Sequence, residues 1–175
     1  MTDLFAVLGL PRRPWLDAEE IKQRHHVLMA SGSVSSATLL NEARRTLDNP
    51  ALRIRHYLAL EFPEYHPTTR LQLDWDFFLK VGEATRQATE LAARKSSLTH
   101  PLARAAIQKE ILTRREALGL LKEEIDKRLT AADDRLQTFE KNPEELTVIA
   151  EEFAFLQKNE TFVREALLAL YQGLA

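Results

Sequence analysis

Cysteine is absent from this 175-residue chain. Without thiols the chain cannot form disulfides, use a thiolate nucleophile, or hold zinc or an iron–sulfur cluster through cysteines of its own. Long apolar runs are missing as well: the longest, residues 166–171, is far shorter than the about 18 residues that a membrane span needs. The first residues carry no basic segment and no cleavage pattern, so we expect a cytoplasmic protein without a signal peptide.

Charge of one sign is not in excess. The 24 basic and 26 acidic side chains give a net charge of −2. Because broad binding to nucleic acid or to an anionic membrane depends on positive charge, we expect neither as a partner. A hydrophobic content of 45% and a charged content of 29% are ordinary for a globular chain. The length allows one or two domains with a core of their own.

Catalytic and ligand-binding motifs are also lacking. No histidine stands at His-x-x-x-His or Glu-x-x-His spacing, and no glycines form Gly-x-Gly or a phosphate loop. Adjacent glutamates, such as Glu123 and Glu124, are explained by solvated helix faces. The sequence therefore predicts no enzyme, no metal site and no cofactor.

Prolines and glycines divide a sequence whose apolar spacing is helical throughout, which predicts an all-α fold. The N-terminal part predicts four helices: a short one over 3–8, one capped by Asp17 and running to about residue 30, one ending at Leu47, and one from Pro50 to about residue 60. Residues 31–36, Ser-Gly-Ser-Val-Ser-Ser, predict a loop.

A proline-containing linker at 62–73 is predicted to separate an N-terminal domain, 1–61, from a C-terminal domain, 74–175. In the second domain, the helical apolar spacing predicts three longer helices. They cover residues 74–96, 102–139 and 144–173. Since the connections between them are short, neighbours should be antiparallel, and we expect a three-helix bundle.

The first bundle helix carries two apolar faces. A core stripe runs through Phe77, Val81, Ala84, Ala88 and Leu91. On the opposite side lie Trp75, Phe78, Leu79 and Gly82, and on a flank of the last helix lie Val148, Phe155 and Phe162. Either the N-terminal domain or the linker covers these additional apolar residues, or they bind a partner, as aromatic anchors commonly do.

Several segments resemble a known family. Residues 3–11, Asp-Leu-Phe-Ala-Val-Leu-Gly-Leu-Pro, and residues 40–50 with 53–58 are similar to a J-domain. A J-domain followed by a three-helix bundle resembles the HscB family, the co-chaperones of iron–sulfur cluster assembly. Phe77-Phe78-Leu79 and residues 155–158, Phe-Leu-Gln-Lys, are similar to that family's bundle. The resemblance covers nearly the whole chain.

The resemblance implies a DnaK- or HscA-type chaperone as one partner. In the family, a His-Pro-Asp motif after the second helix stimulates ATP hydrolysis by that chaperone. Here Ser33, Val34 and Ser35 fill its place in an ungapped alignment, and a deletion that removed the motif fits equally well. We expect weak stimulation, because serine cannot replace a carboxylate in a charge-assisted pair. The second helix keeps basic residues that favour an acidic chaperone surface or simply face solvent: Lys22, Arg24 and His26.

The resemblance also implies an iron–sulfur scaffold protein as a partner. The positions that match the family's scaffold-binding surface are Phe78, Leu79, Gly82, Glu83, Arg86, Glu90 and Phe155. Gly82 stands where the family has a large apolar residue, and Arg86 stands where it has an acid. The leading hypothesis is a non-enzymatic co-chaperone. The alternative is a helical adaptor outside the iron–sulfur pathway, which uses its apolar faces for self-association.

Overall fold

The computed structural model describes residues 1–31, 34–68, 72, 74–139 and 142–172, without the side chains of 34–36, 101 and 104. Every regular element in these residues is an α-helix, so the predicted all-α class is confirmed. The helices are α1 (Leu4–Leu8), α2 (Ala18–Ala30), α3 (Val34–Asp48), α4 (Pro50–Glu61), α5 (Trp75–Ser97), α6 (Pro101–Gln137) and α7 (Pro143–Tyr171). None of the described helices is long and apolar enough to cross a membrane.

Short polar side chains precede five of the helices. Asp3, Asp17, Asn49, Asp74 and Asn142 each accept a hydrogen bond from a backbone N–H in the first turn of the helix that follows. A helix leaves its first N–H groups without intrahelical partners, and such a cap satisfies them. The predicted cap at Asp17 is confirmed, and so is Pro50 as the first residue of α4.

The predicted loop over residues 31–36 is too long. Helix α3 already begins at Val34, so the backbone of residues 34–36 is helical. Serine and valine have low helix propensity, which favoured a loop, but propensity is a weak guide at the first turn of a helix, where serine is well tolerated. Ser33 and the side chains of Val34 and Ser35 lie outside the described residues.

The chain forms two compact units. The first comprises residues 1–71 and 131–154, and the second comprises 72–130 and 155–175. The end of α6 and the beginning of α7 thus group with the N-terminal helices. The boundary predicted at 62–73 separates two domains that are expected to fold independently of each other. That boundary stays a prediction.

Each unit has its own buried side chains. Those of the first unit that are almost completely buried include Phe5, Leu8, Ile21, Leu47 and Ile54. In the second unit, α5, α6 and α7 all contribute to one hydrophobic cluster. Its members include Phe77, Val81, Leu91, Ile111, Leu118, Ile125, Leu156, Val163 and Leu170. The predicted core stripe of α5 faces this cluster.

Candidate partner-binding site

The first turns of α5 expose large apolar side chains on the side opposite the core. Trp75 is 61% exposed, Leu79 is 64% exposed and Phe78 is 36% exposed, whereas Phe77 between them is only 3% exposed. The predicted second face of this helix is therefore confirmed as an exposed surface. We call Trp75, Phe78 and Leu79, together with Phe155 of α7, the aromatic patch.

The rings of the aromatic patch touch one another. Trp75 meets Phe78 edge to face, with ring centroids 6.0 Å apart and planes at 88°. The centroids of Phe78 and Phe155 are 6.3 Å apart. Phe155 also packs against the core and lies 6.5 Å from Phe77. Because these distances are typical of favourable aromatic pairs, the exposed rings are held in a defined arrangement.

A network of charged side chains fixes the beginning of α5. Arg128 of α6 donates to Asp74 at 2.9 Å and to Glu124 at 2.8 Å, and its guanidinium carbon lies 4.1 Å from the centroid of the Phe77 ring. Asp74 also accepts from the backbone N–H of Phe77 at 3.0 Å. That capping bond, and then the bond from Arg128, lower the pKa of Asp74. The turn that carries the patch is thus anchored to α6.

An ionic cluster lies further along α5. Arg86 donates three hydrogen bonds to Glu83, at 2.7, 2.8 and 3.0 Å, and one to Glu90, at 2.6 Å. The bond from Arg86 is the main reason that the pKa of Glu83 is lowered. All three side chains are exposed, so these pairs add little stability. Their consequence is that the positive charge of Arg86 is paired with two carboxylates of its own helix.

A groove of about 540 Å³ lies between α5 and α7, and several predicted positions line it. Gly82, Arg86 and Glu90 belong to its wall. A Cβ atom added at Gly82 would meet nothing within 4 Å, so the absent side chain leaves open space there. Sequence reasoning missed Thr85, Thr89 and Glu165 of the same groove. The first two were detectable, because they follow Gly82 at helical spacing.

The basic residues proposed on α2 are only partly brought together. Lys22 and His26 line one cavity of about 480 Å³ with Arg44 of α3, and Arg24 is not among its lining residues. Lys22 is already paired with Glu19 at 3.1 Å. Across the described part of the chain, no group of three or more histidine or acidic side chains could hold a metal ion.

No protein-family model matches the chain, and no curated protein matches it either.

Proposed function

We propose that this protein is a non-enzymatic co-chaperone similar to the HscB family, and that it binds an iron–sulfur scaffold protein through the aromatic patch. The single observation that supports this most strongly is the contact between Phe78 and Phe155. These residues are far apart in sequence, and their ring centroids lie 6.3 Å apart beside the exposed Trp75 and Leu79. The resemblance assigns Phe78, Leu79 and Phe155 to one scaffold-binding surface.

The proposal includes an architecture. A shortened J-domain-like part, residues 1–61, would be joined through 62–73 to an antiparallel three-helix bundle over 74–175. The shared hydrophobic cluster of α5, α6 and α7 supports the bundle. The position of Gly9 after α1, with the cap at Asp3, supports a defined first helix where the resemblance to a J-domain begins.

The geometry of the patch favours binding without rearrangement. Aromatic side chains that are already in contact lose little freedom when a partner covers them, and such preorganisation favours affinity. Arg128 holds the turn beneath the patch through Asp74. Beside the patch, Arg86 is paired with both Glu83 and Glu90, so it does not offer a free positive charge to the partner.

The contact with a DnaK- or HscA-type chaperone should be reduced. Without His-Pro-Asp, the chain has no carboxylate in the motif's place to meet a chaperone arginine, so stimulation of the DnaK- or HscA-type ATPase should be low. Lys22 and His26 share one surface of α2, and they would provide the remaining contact with an acidic chaperone. Arg24 would contribute only through long-range attraction.

Alanine substitution tests the scaffold-binding assignment. The double variant Phe78→Ala/Phe155→Ala should bind the scaffold protein at least tenfold more weakly, because aromatic anchors carry a large share of interface energy. Leu168→Ala is the matched control, since Leu168 is 51% exposed and lies outside the patch. Circular dichroism verifies folding, because Phe155 also packs against the core. Unchanged affinity in a folded double variant would contradict the assignment.

A second candidate function is self-association as a helical adaptor. The observation that favours it is a further set of exposed leucines on α6: Leu102 is 75% exposed, Leu112 is 51% exposed and Leu120 is 68% exposed. If they form an interface between two copies, the mass measured by analytical ultracentrifugation should rise with concentration. The variant Leu112→Ala/Leu120→Ala should abolish that rise, and a constant monomer mass would exclude this candidate.

A further inference from the structure

The first unit contains a cavity that the proposed function does not use. Its volume is about 540 Å³, within the range of about 300–1,000 Å³ that is common for small-molecule sites. It lies between α4, the segment after α4 and the beginning of α7. Apolar side chains make up much of its wall, among them Leu58, Phe62, Pro63, Pro67 and Ala150.

Several features hold this cavity open. Pro63 and Pro67 fix the backbone φ angle at two points of the segment after α4. Between them, the Tyr65 backbone N–H donates to the Phe62 carbonyl at 3.0 Å. The hydroxyl groups of Tyr65 and Thr147 are hydrogen-bonded at 3.3 Å, which ties the segment to α7. The prolines and these hydrogen bonds therefore constrain one side of the wall, which also includes the side chains of Met1, Arg55 and Glu151.

Two charged side chains that line the cavity, Arg55 and Glu151, differ in their interactions. Arg55 of α4 lines it, and among the described residues no carboxylate lies within ion-pair distance of its guanidinium. Glu151 lines the cavity too, but it already takes part in an interaction of its own. An apolar cavity whose lining includes a guanidinium without an ion-pair partner among the described residues can accept a ligand with an apolar body and one negative charge.

We propose that this cavity binds a small amphipathic carboxylate. The apolar body of the ligand lies against Leu58, Phe62 and Ala150, and its carboxylate accepts hydrogen bonds from the Arg55 guanidinium. Burial of the apolar body provides the attraction, and Arg55 selects the sign of the charge. The site is independent of the aromatic patch, because none of its lining residues belongs to that patch.

Two probes with the same tail and opposite charge test the proposal. Decanoate and decylammonium are titrated by calorimetry into the full chain, below the concentrations at which they form micelles. Decanoate should bind at least tenfold more tightly than decylammonium. Arg55→Glu should reverse this preference, whereas Arg45→Glu, the same charge change on an exposed arginine of α3 outside the cavity, should leave it intact.

A second variant tests the position of the ligand. Ala59 lines the cavity and is exposed, so Ala59→Trp can fill the space without disturbing the core, and circular dichroism checks the fold. It should reduce decanoate binding at least tenfold. The proposal is wrong if decanoate does not bind, if decylammonium binds as tightly, or if folded Ala59→Trp protein binds decanoate as well as the original chain.

Discussion

A buried histidine makes the stability of the first unit depend on pH. The Leu4 backbone N–H donates to Nε2 of His56 at 3.0 Å, and the His56 ring stacks on Phe5 with centroids 5.6 Å apart. His56 is only 8% exposed. Because Nε2 accepts a hydrogen bond, it cannot carry a proton, so the folded state needs the neutral imidazole with its hydrogen on Nδ1.

The direction of the pH effect follows from the pKa of His56. Burial lowers this pKa below its ordinary value, although the negative charges of Asp3 and Glu42 act in the opposite direction. As pH falls, the unfolded chain therefore takes up the proton first. The contribution of His56 to stability is complete above about pH 6.5 and decreases below it, by at most about 1.4 kcal/mol per pH unit for one proton.

The perturbation is His56→Gln, which keeps a side-chain acceptor but does not titrate. Urea unfolding at pH 7.5 and at pH 5.5 gives the free energy of unfolding for each protein. Between these values the original chain should lose more stability than the variant, and one proton limits the difference to at most about 1.4 kcal/mol per pH unit. His66→Gln, the same substitution at an exposed histidine, is the control. The reasoning is refuted if His56→Gln loses as much stability as the original chain.

Two pairs of substitutions test the packing and the backbone. Gly9 has a φ of 65°, so Gly9→Ala should cost about 1–2 kcal/mol in thermal unfolding, whereas Gly82→Ala inside α5 meets open space and should stabilise by about 0.5–1 kcal/mol. Equal effects at both glycines would contradict the backbone argument. Ile125→Ala in the core of the second unit should cost about 2–5 kcal/mol in urea unfolding, and the exposed Leu120→Ala less than about 0.5 kcal/mol. Similar losses for the two would show that Ile125 is not packed as described.

Local signals in the sequence were sufficient for most helix boundaries. Caps such as Asp17 and the proline at position 50 act on the few residues beside them, so their effect can be predicted without the rest of the chain. The same holds for the two faces of α5, because helical periodicity alone separates Phe77 from Phe78. The predicted beginning of α3 was wrong, because the low helix propensity of residues 34–36 does not decide whether they form the first turn of a helix.

Long-range polar contacts could not be predicted from the sequence. Arg53 is 3% exposed and donates to the carbonyls of Pro14, at 2.8 Å, and of Leu47, at 2.5 Å. Burial lowers the pKa of Arg53 to about 10, despite the negative charges of Asp133 and Asp48. An arginine in a helix normally faces solvent, and only the tertiary structure supplies the carbonyls that make its burial acceptable.

The candidate site was also predictable only in part, because some of its features follow from local helical periodicity and others depend on tertiary packing. The exposure of Phe78 and Leu79 follows from the helical pattern of α5. The contact between Phe78 and Phe155 depends on how α5 and α7 pack, and the resemblance alone suggested it. The neutralisation of Arg86 by Glu83 and Glu90 follows from spacings of three and four residues, and it was detectable but was not predicted.

The most direct test of the proposed function is calorimetric titration of the full chain with the iron–sulfur scaffold protein of the same organism. We predict micromolar or tighter binding. Such binding would support the scaffold-binding part of the proposal, and the contact with the chaperone would be the part that is tested next. Absence of binding between two folded proteins would contradict the proposal, and the exposed aromatic patch would then be better explained as the surface of a helical adaptor.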